Sequence, residues 1–338
     1  MSSVLAQGAA QHAAPAHPRL TALLARARER AAGTAALPAV GLVHPCDALA
    51  LDAAVRMQAA GFARAVLIGS SAGIARAAEA SGIDLRQFEI VTTGDSPAEA
   101  ALRATELARE GAVSALMKGS LHTDELMSAV VNKTTGLRGD TRISHAFVFD
   151  LPRYPKLLAL ADCVVNISPD LKTKRDILGN ALRLLKALGI AEPKVGIVAA
   201  VETVNPAIPA TVDAQALVEL SRQGEWPGAL VEGPFGFDNV ISAEAARIKK
   251  IESRVSGDAD LLLMPDLNAG NMLYKSFNYI GGGDCAGLVL GARVPIVLTS
   301  RADSLQSRLA SVALAVLAAS SPGAHPGLAP SPFGRGLG

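Results

Sequence analysis

Short apolar segments alternate with helical segments along most of the chain, and this alternation limits the fold more than any other feature of the sequence. Most of the apolar runs end in turn-forming residues, and amphipathic segments with helical spacing follow most of them. The runs lie at residues 39–43, 65–69, 88–91, 112–117, 145–150, 157–161, 164–167, 195–200, 229–231, 261–264 and 294–298. Strands and helices that alternate with short connections are typical of a mostly parallel sheet covered on both faces. The sequence therefore predicts an α/β fold.

A break in this rhythm after residue 150 predicts a boundary between two lobes. The segment Leu-Pro-Arg-Tyr-Pro at 151–155 resembles a linker, because its prolines end the preceding strand. We expect one α/β domain formed by 18–150 plus 300–320 and a second formed by 151–299. A cleft between two such lobes is the default place for a ligand.

Composition and patterning exclude several classes of protein. With 50% hydrophobic and 19% charged residues, the chain can bury a large core. The 32 basic and 31 acidic residues form no basic stripe, so we expect no nucleic-acid partner. No apolar run reaches the ~18 residues of a membrane span, and no signal-peptide pattern opens the chain. The three cysteines, Cys46, Cys163 and Cys285, lack metal or disulfide spacing and suit a reducing cytoplasm. Residues 1–17 and 321–338 are expected to be disordered.

The segment 261–307 contains two strand–turn–helix units, and the second suits an anion. Ser300 and Arg301 follow its strand and offer a hydroxyl and a fixed cation to phosphate-type oxygens. Ligands of open α/β sheets bind beyond the carboxyl ends of strands, where helix N-termini attract anions. From its residue type alone, Ser300 is better explained as an ordinary helix-entry hydroxyl, and Arg301 has a structural ion pair as its alternative. Asp303 is expected to cap the last helix.

The first unit of the same segment supplies three further candidates. Asp266 is placed to orient an arginine or accept a proton, or it is a turn residue. Asn268 is predicted to cap the following helix, with the floor of the cleft as its alternative place. Gly270 allows another backbone or a ligand to come close.

Other candidates follow strands elsewhere in the chain. Lys118 and Ser120 form a plausible anion cradle, although the upstream glycines of a P-loop are missing. His122 opens the next helix and has a side chain that titrates near neutrality. Asp238 is either a cleft residue or a turn former, and Arg142, in the loop before the strand at 145–150, is a candidate for a structural ion pair. The chain shows no carboxylate cluster that predicts a metal site.

Four motifs in order along the chain resemble the phosphate acetyltransferase/phosphate butyryltransferase family. They are TRISHAFVF at 141–149, EGPFGFDN at 232–239, PDLNAGN…YK at 265–275 and LTSRADS at 298–304. The resemblance implies two α/β domains of the isocitrate/isopropylmalate-dehydrogenase type and a homodimer. It also implies transfer of an acyl group between coenzyme A and inorganic phosphate, with acyl-CoA and phosphate as substrates and no separate cofactor.

The same resemblance implies roles for individual residues. Ser300, Arg301 and Arg142 would surround the acyl phosphate. The acetyltransferases of the family carry an Asp seven residues after the serine, proposed to take the thiol proton, and this chain has Ser307 there. The general base therefore stays open.

Two other functions remain as alternatives. The first is a metal- and NAD-dependent hydroxy-acid dehydrogenase on the related fold, although neither an Asp cluster nor a GxGxxG turn is present. The second is a non-catalytic protein that binds acyl-CoA or acyl phosphate, suggested by Ser307.

Overall fold

A computed structural model describes residues 17–298 and 303–320 of the chain. Within these residues it contains one sheet of 11 strands with helices on both faces. The strands are β1 (Ala39–Val43), β2 (Arg64–Ser70), β3 (Glu89–Thr93), β4 (Ala115–Lys118), β5 (Ser144–Asp150), β6 (Leu158–Ala161), β7 (Lys194–Val198), β8 (Leu230–Phe235), β9 (Leu261–Leu263), β10 (Asp284–Leu290) and β11 (Ile296–Val297). The helices are α1 (Pro18–Ala32), α2 (Ala48–Ala59), α3 (Ser71–Ser81), α4 (Pro97–Arg109), α5 (Thr123–Val130), α6 (Leu171–Ala187), α7 (Pro209–Arg222), α8 (Phe237–Ile241), α9 (Ala243–Ile248), α10 (Leu267–Tyr279) and α11 (Leu305–Ala319).

The sheet is mostly parallel, which confirms the predicted α/β fold class. Its strand order is β3-β2-β1-β4-β11-β10-β5-β6-β9-β7-β8. Only the pairings of β10 with β11, β10 with β5 and β5 with β6 are antiparallel among the described strands. Strands β10 and β11 pair with β5 and β4 of the first half, so the sheet is continuous. The division into domains at 18–150 plus 300–320 and 151–299 stays a prediction.

Strand direction creates two edges that carry different residues. Strands β1, β4 and β11 are parallel, so their carboxyl ends at Val43, Lys118 and Val297 share one edge, which we call the first edge. Strand β10 runs against β11, and β5 runs against both β10 and β6. The carboxyl ends of β6, β9, β7 and β8 therefore share the other edge, which we call the second edge.

The strand order reverses between β1 and β4. The chain adds β2 and then β3 on one side of β1, and then crosses to place β4 on the other side. Helices leaving β1 and β4 diverge at such a switch point and leave a crevice beyond the strand ends. The fold thus places a crevice at the first edge.

Apolar side chains alternate between the two faces of the sheet. In β5, Ala146 and Val148 face a core that includes α1, α2, α6 and α11, whereas Phe149 faces the core beneath α10. Helix α11 is buried along most of its length, because its Ala, Leu and Val side chains pack against α1 and β10. None of the described helices is long and apolar enough to cross a membrane.

Local side-chain bonds set the helix starts, and two of our capping predictions are wrong. Helix α10 is capped by Asp266, whose carboxylate accepts from the amide of Ala269 at 3.0 Å, so Asn268 lies inside its first turn. Helix α11 is capped by Ser304 and not by Asp303. The chain enters α10 two residues before the predicted position and enters α11 one residue after it.

The strand predicted at 164–167 is also wrong. The carboxylate of Asp162 accepts hydrogen bonds from the amides of Val164, Val165 and Asn166, at 2.8, 3.0 and 3.3 Å. These donors turn toward one side chain and are not available to a neighbouring strand. The segment is therefore a loop at the second edge, despite its apolar composition.

Candidate functional site

A cavity of about 260 Å³ opens at the first edge, in the crevice between β1 and β4. Its lining includes three residues that the sequence singled out, Lys118, Ser120 and His122. It also includes Asp47 and Arg308, which sequence reasoning did not assign to a site. The structure thus brings together a lysine, an arginine and a histidine where the fold leaves room for a ligand.

Arg308 supplies a cation from an otherwise apolar helix. It is 5% exposed, and the residues that follow it in α11 are nearly all Ala, Leu and Val. A buried charge is unfavourable unless its surroundings compensate it, so such a residue marks a polar region within the core. The signal available in the sequence was a single arginine early in an Ala- and Leu-rich helix.

Ser120 organises the loop that follows β1. Its hydroxyl donates to the carbonyl oxygen of His44 at 2.6 Å and accepts from the amide of Cys46 at 3.0 Å. Next to it, a side chain at Gly119 would meet the carbonyl oxygen of His44 at 2.7 Å. The two loops therefore touch through backbone, and the Ser120 hydroxyl is used to hold one wall of the cavity.

The loop after β1 contains two side chains with shifted pKa values. Burial lowers the pKa of His44, against the nearby charges of Glu125, Asp47 and Asp95, which raise it. Burial raises the pKa of Cys46. Both shifts favour the uncharged form near neutrality, so neither side chain adds a charge beside the cavity.

His122 is the N-cap residue of α5 and is exposed at the cavity. Its amide donates to the carboxylate of Glu125 at 2.7 Å, which fixes the start of the helix. The imidazole itself is not used in that bond. His122 therefore stays a candidate for contact with a ligand, as the sequence predicted.

Four other candidates lie together at the second edge, around the loop that Asp162 organises. Arg142 is exposed, and its Nε donates to the side chain of Asn166 at 3.4 Å. A side chain at Gly270 would meet the carbonyl oxygen of Asp162 at 2.5 Å, so this glycine permits a close backbone approach. Asp266 and Asn268 lie in the same first turn of α10.

Asp238, in α8 beyond the carboxyl end of β8, is a further second-edge residue. Its carboxylate is 3.6 Å from Nζ of Lys249, and its side chain is largely exposed. An exposed ion pair of this kind contributes little to stability. Asp238 therefore lies at the edge of the sheet opposite the cavity.

Ser300 and Arg301 lie outside the described residues, so their predicted convergence with Arg142 stays a prediction. The last described residue before them, Leu298, follows β11 at the first edge. Arg142 precedes Ser144, which pairs with Leu290 at the opposite end of β10. The strand register therefore separates Arg142 from the end of β11 and brings Lys118 close to it.

Within 17–298 and 303–320, no group of three or more His, Cys, Asp or Glu side chains is placed to hold a metal ion. Ser307, at the position where the resemblance implies an acid, is buried, and its hydroxyl donates to the carbonyl oxygen of Cys285.

A doubly wound sheet with a cation-lined cavity beyond its switch point is typical of enzymes that bind small anionic substrates. Residues 97–316 match the family described as phosphate acetyl/butaryl transferase, and the chain belongs to this family. The predicted family is thereby confirmed, and the dehydrogenase and non-catalytic alternatives are not favoured.

Named relatives span most of the chain. It is 50% identical to a phosphate acetyltransferase of Rhizobium meliloti over 85% of this chain and 91% of that protein. It is 40% identical to a phosphate butyryltransferase of Clostridium acetobutylicum over 77% of this chain and 86% of that protein. Among solved structures, a branched-chain phosphotransacylase from Enterococcus faecalis V583 is 27% identical, with a TM-score of 0.74, over 84% of this chain and 99% of that chain.

Proposed function

We propose that the protein is a phosphate acyltransferase that converts a short-chain acyl-CoA and inorganic phosphate into acyl phosphate and free coenzyme A. Both substrates are anionic, and both must reach one place for direct transfer in a ternary complex. The observation that carries the proposal is the cavity at the β1–β4 switch point, with Lys118 and Arg308 in its lining.

The geometry suits direct transfer. Strand β11 lies beside β4 and points in the same direction, with Val297 opposite Met117. In the sequence, Ser300 and Arg301 come shortly after the end of β11, which lies at the same edge of the sheet as Lys118. In this proposal the cations hold the phosphate, and the Ser300 hydroxyl donates to the carbonyl oxygen of the thioester as negative charge develops on it.

Arg142 and Asp266 have a different place in this proposal. Both lie at the second edge. Arg142 donates to the side chain of Asn166 in the loop at 162–167, and Asp266 caps the start of α10. We therefore assign them, together with Asn268 and Gly270, to the support of that loop and not to contact with the reacting atoms.

The proposal is tested by phosphate-dependent release of free thiol from acyl-CoA. Purified protein is incubated with acetyl-, propionyl-, butyryl- and isobutyryl-CoA, with and without phosphate, and thiol is measured by colour reagent. Release that requires phosphate is expected with at least one thioester. Since one methylene in an apolar pocket changes binding by only ~1–3 kcal/mol, we expect graded preference and not a single substrate. The absence of release with all four would overturn the proposal.

The family resemblance also leads us to propose a homodimer. Light scattering coupled to gel filtration measures this directly, and the expected mass is twice the 34.6 kDa of the chain. A mass that stays at the monomer value across concentrations would contradict it without affecting the proposed chemistry.

A further inference from the structure

We propose that the buried part of the cavity at the first edge holds the acyl chain of the substrate, and that Met117 and Ala50 set the chain length. This inference rests on the acyl transfer proposed above. It gives a place to the one part of the substrates that carries no charge. The observation from which it starts is that both side chains line the cavity.

The size of the cavity fits the small end of the substrate. Pockets that enclose drug-sized ligands measure roughly 300–1,000 Å³. This cavity measures about 260 Å³. Coenzyme A, with its nucleotide and its long pantetheine arm, is too large to lie inside it. The space is suited to an acyl phosphate, or to the acyl end of a thioester with phosphate beside it.

The buried part of the lining is mainly apolar. In the described part of the chain, four of the lining side chains are buried, namely Ala50, Met117, Leu121 and Arg308. Three of them are apolar, and the fourth is a cation. A nucleotide placed against the apolar three would leave polar groups without partners, whereas an acyl chain would bury only apolar surface there. An acyl phosphate has one anionic end and one apolar end, so it matches both kinds of lining.

Met117 and Ala50 reach the cavity from the same side of the sheet. Met117, near the end of β4, is 2% exposed and belongs to the core formed with α2 and α11. Ala50 lies in the first turn of α2 and is 8% exposed. Helix α11, which carries Arg308, packs against both α2 and β4. These three elements therefore enclose the inner end of the cavity.

The backbone at both positions is held in place. The amide of Ala50 donates to the carboxylate of Asp47, the N-cap of α2, at 2.8 Å. Met117 pairs with Leu42 in β1 and with Val297 in β11. The depth of the inner end therefore depends on side-chain volume. Methionine is unbranched and adapts its shape, so this wall agrees with a graded preference among short chains.

The test measures kcat/KM for acetyl-, butyryl- and hexanoyl-CoA in phosphate-dependent thiol release. Met117→Ala deepens the inner end, so the ratio of hexanoyl- to acetyl-CoA should rise about tenfold or more above the wild-type ratio. Ala50→Val fills part of the space, so the ratio of butyryl- to acetyl-CoA should fall about tenfold. The two variants act in opposite directions, and either one tests the inference if the other does not fold.

Two matched variants control for changes in packing. Met57→Ala removes the same atoms from α2, where Met57 is fully buried in the same core and does not line the cavity. Ala48→Val adds the same atoms at an exposed position of the first turn of α2. Both should keep the wild-type ratios within about twofold, even where Tm falls.

The outcomes separate this inference from the proposed function. If the wild-type enzyme releases no thiol from any acyl-CoA, both fail. If it is active and the ratios stay within about twofold in Met117→Ala and Ala50→Val, only this inference fails. An equal loss of kcat/KM with all three thioesters would also overturn it, because the cavity would then hold a group common to them all. A shift in Met57→Ala as large as that in Met117→Ala would trace the effect to packing and overturn it as well.

Discussion

The hydroxyl of Ser120 connects two loops, donating to the carbonyl oxygen of His44 at 2.6 Å and accepting from the amide of Cys46 at 3.0 Å. Removing it in Ser120→Ala leaves two polar backbone groups without this partner. We expect unfolding to become easier by ~1–2 kcal/mol and KM for both substrates to rise, because a wall of the cavity loosens. Chemical denaturation and steady-state kinetics measure the two effects. Ser120→Thr, which keeps the hydroxyl, is the control. An alanine variant with unchanged stability and KM would show that the bond is dispensable.

The two arginines implied by the family resemblance should differ strongly in their effects. Leu298, shortly before Arg301, leaves β11 at the first edge, whereas Arg142 precedes β5 at the second edge. We expect Arg301→Ala to lower kcat/KM by about 10²-fold or more, since a charge-assisted contact to phosphate is lost. Arg142→Ala should stay within a few-fold of the wild-type enzyme. If both variants are folded and lose kcat/KM to the same large extent, the prediction that Arg142 and Arg301 converge on the phosphate would be supported instead.

The sequence predicted the fold well because the spacing of apolar residues and the positions of turn-forming residues are local signals. The strands at 39–43 and 145–150 were placed correctly, within about a residue. The strand predicted at 164–167 failed because a single buried carboxylate, Asp162, captures the amides of this segment. These hydrogen bonds depend on where the tertiary fold places Asp162, so no periodicity in the sequence indicates them.

The candidate site was predictable in its parts and less so in its arrangement. Lys118 and His122 follow a recognisable strand, so the rule about carboxyl ends singled them out, and both line the cavity; that they bind substrate stays a prediction. Arg308 was missed because a single arginine early in an Ala- and Leu-rich helix is a weak signal, which a charge at a solvated helix end would also give. The separation of Arg142 from the cavity depends on β5 and β10 being antiparallel, and strand direction is not encoded in either strand alone.

A buried histidine should make stability depend on pH. Burial lowers the pKa of His145 from 6.5 to about 4, against the charge of Asp162, which raises it. Above pH 6.5 both the folded and the unfolded chain carry neutral imidazole, so this contribution to stability is complete there. As pH falls from about 6.5 toward about 4, the unfolded chain binds a proton that the folded chain does not. Stability then decreases by up to roughly 3 kcal/mol.

Urea unfolding of the wild-type protein and of His145→Asn at a series of pH values measures this contribution. The variant should be less stable at neutral pH, because it changes packing beside Phe147, whose ring centroid is 4.4 Å away. Its stability should nevertheless fall less steeply than that of the wild-type protein between about pH 6.5 and about pH 4. Parallel pH dependences for the two proteins would mean that His145 is protonated as readily in the folded chain as in the unfolded chain.

A pair of glycine variants tests the close approach between α10 and the loop at the second edge. A side chain at Gly270 would lie 2.5 Å from the carbonyl oxygen of Asp162 and 3.1 Å from Cα of Cys163, and both are backbone atoms that move only with their loop. We expect Gly270→Ala to destabilise the protein by ~1–3 kcal/mol. Gly179→Ala in α6 is the matched control. Its nearest contact would be Nε1 of Trp226 at 3.4 Å, so the helix should gain up to ~1 kcal/mol. Differential scanning calorimetry of the two variants should give shifts of opposite sign. An unchanged or raised Tm in Gly270→Ala would mean that the loop at 162–163 yields without loss, and that the glycine is not required for the packing of α10.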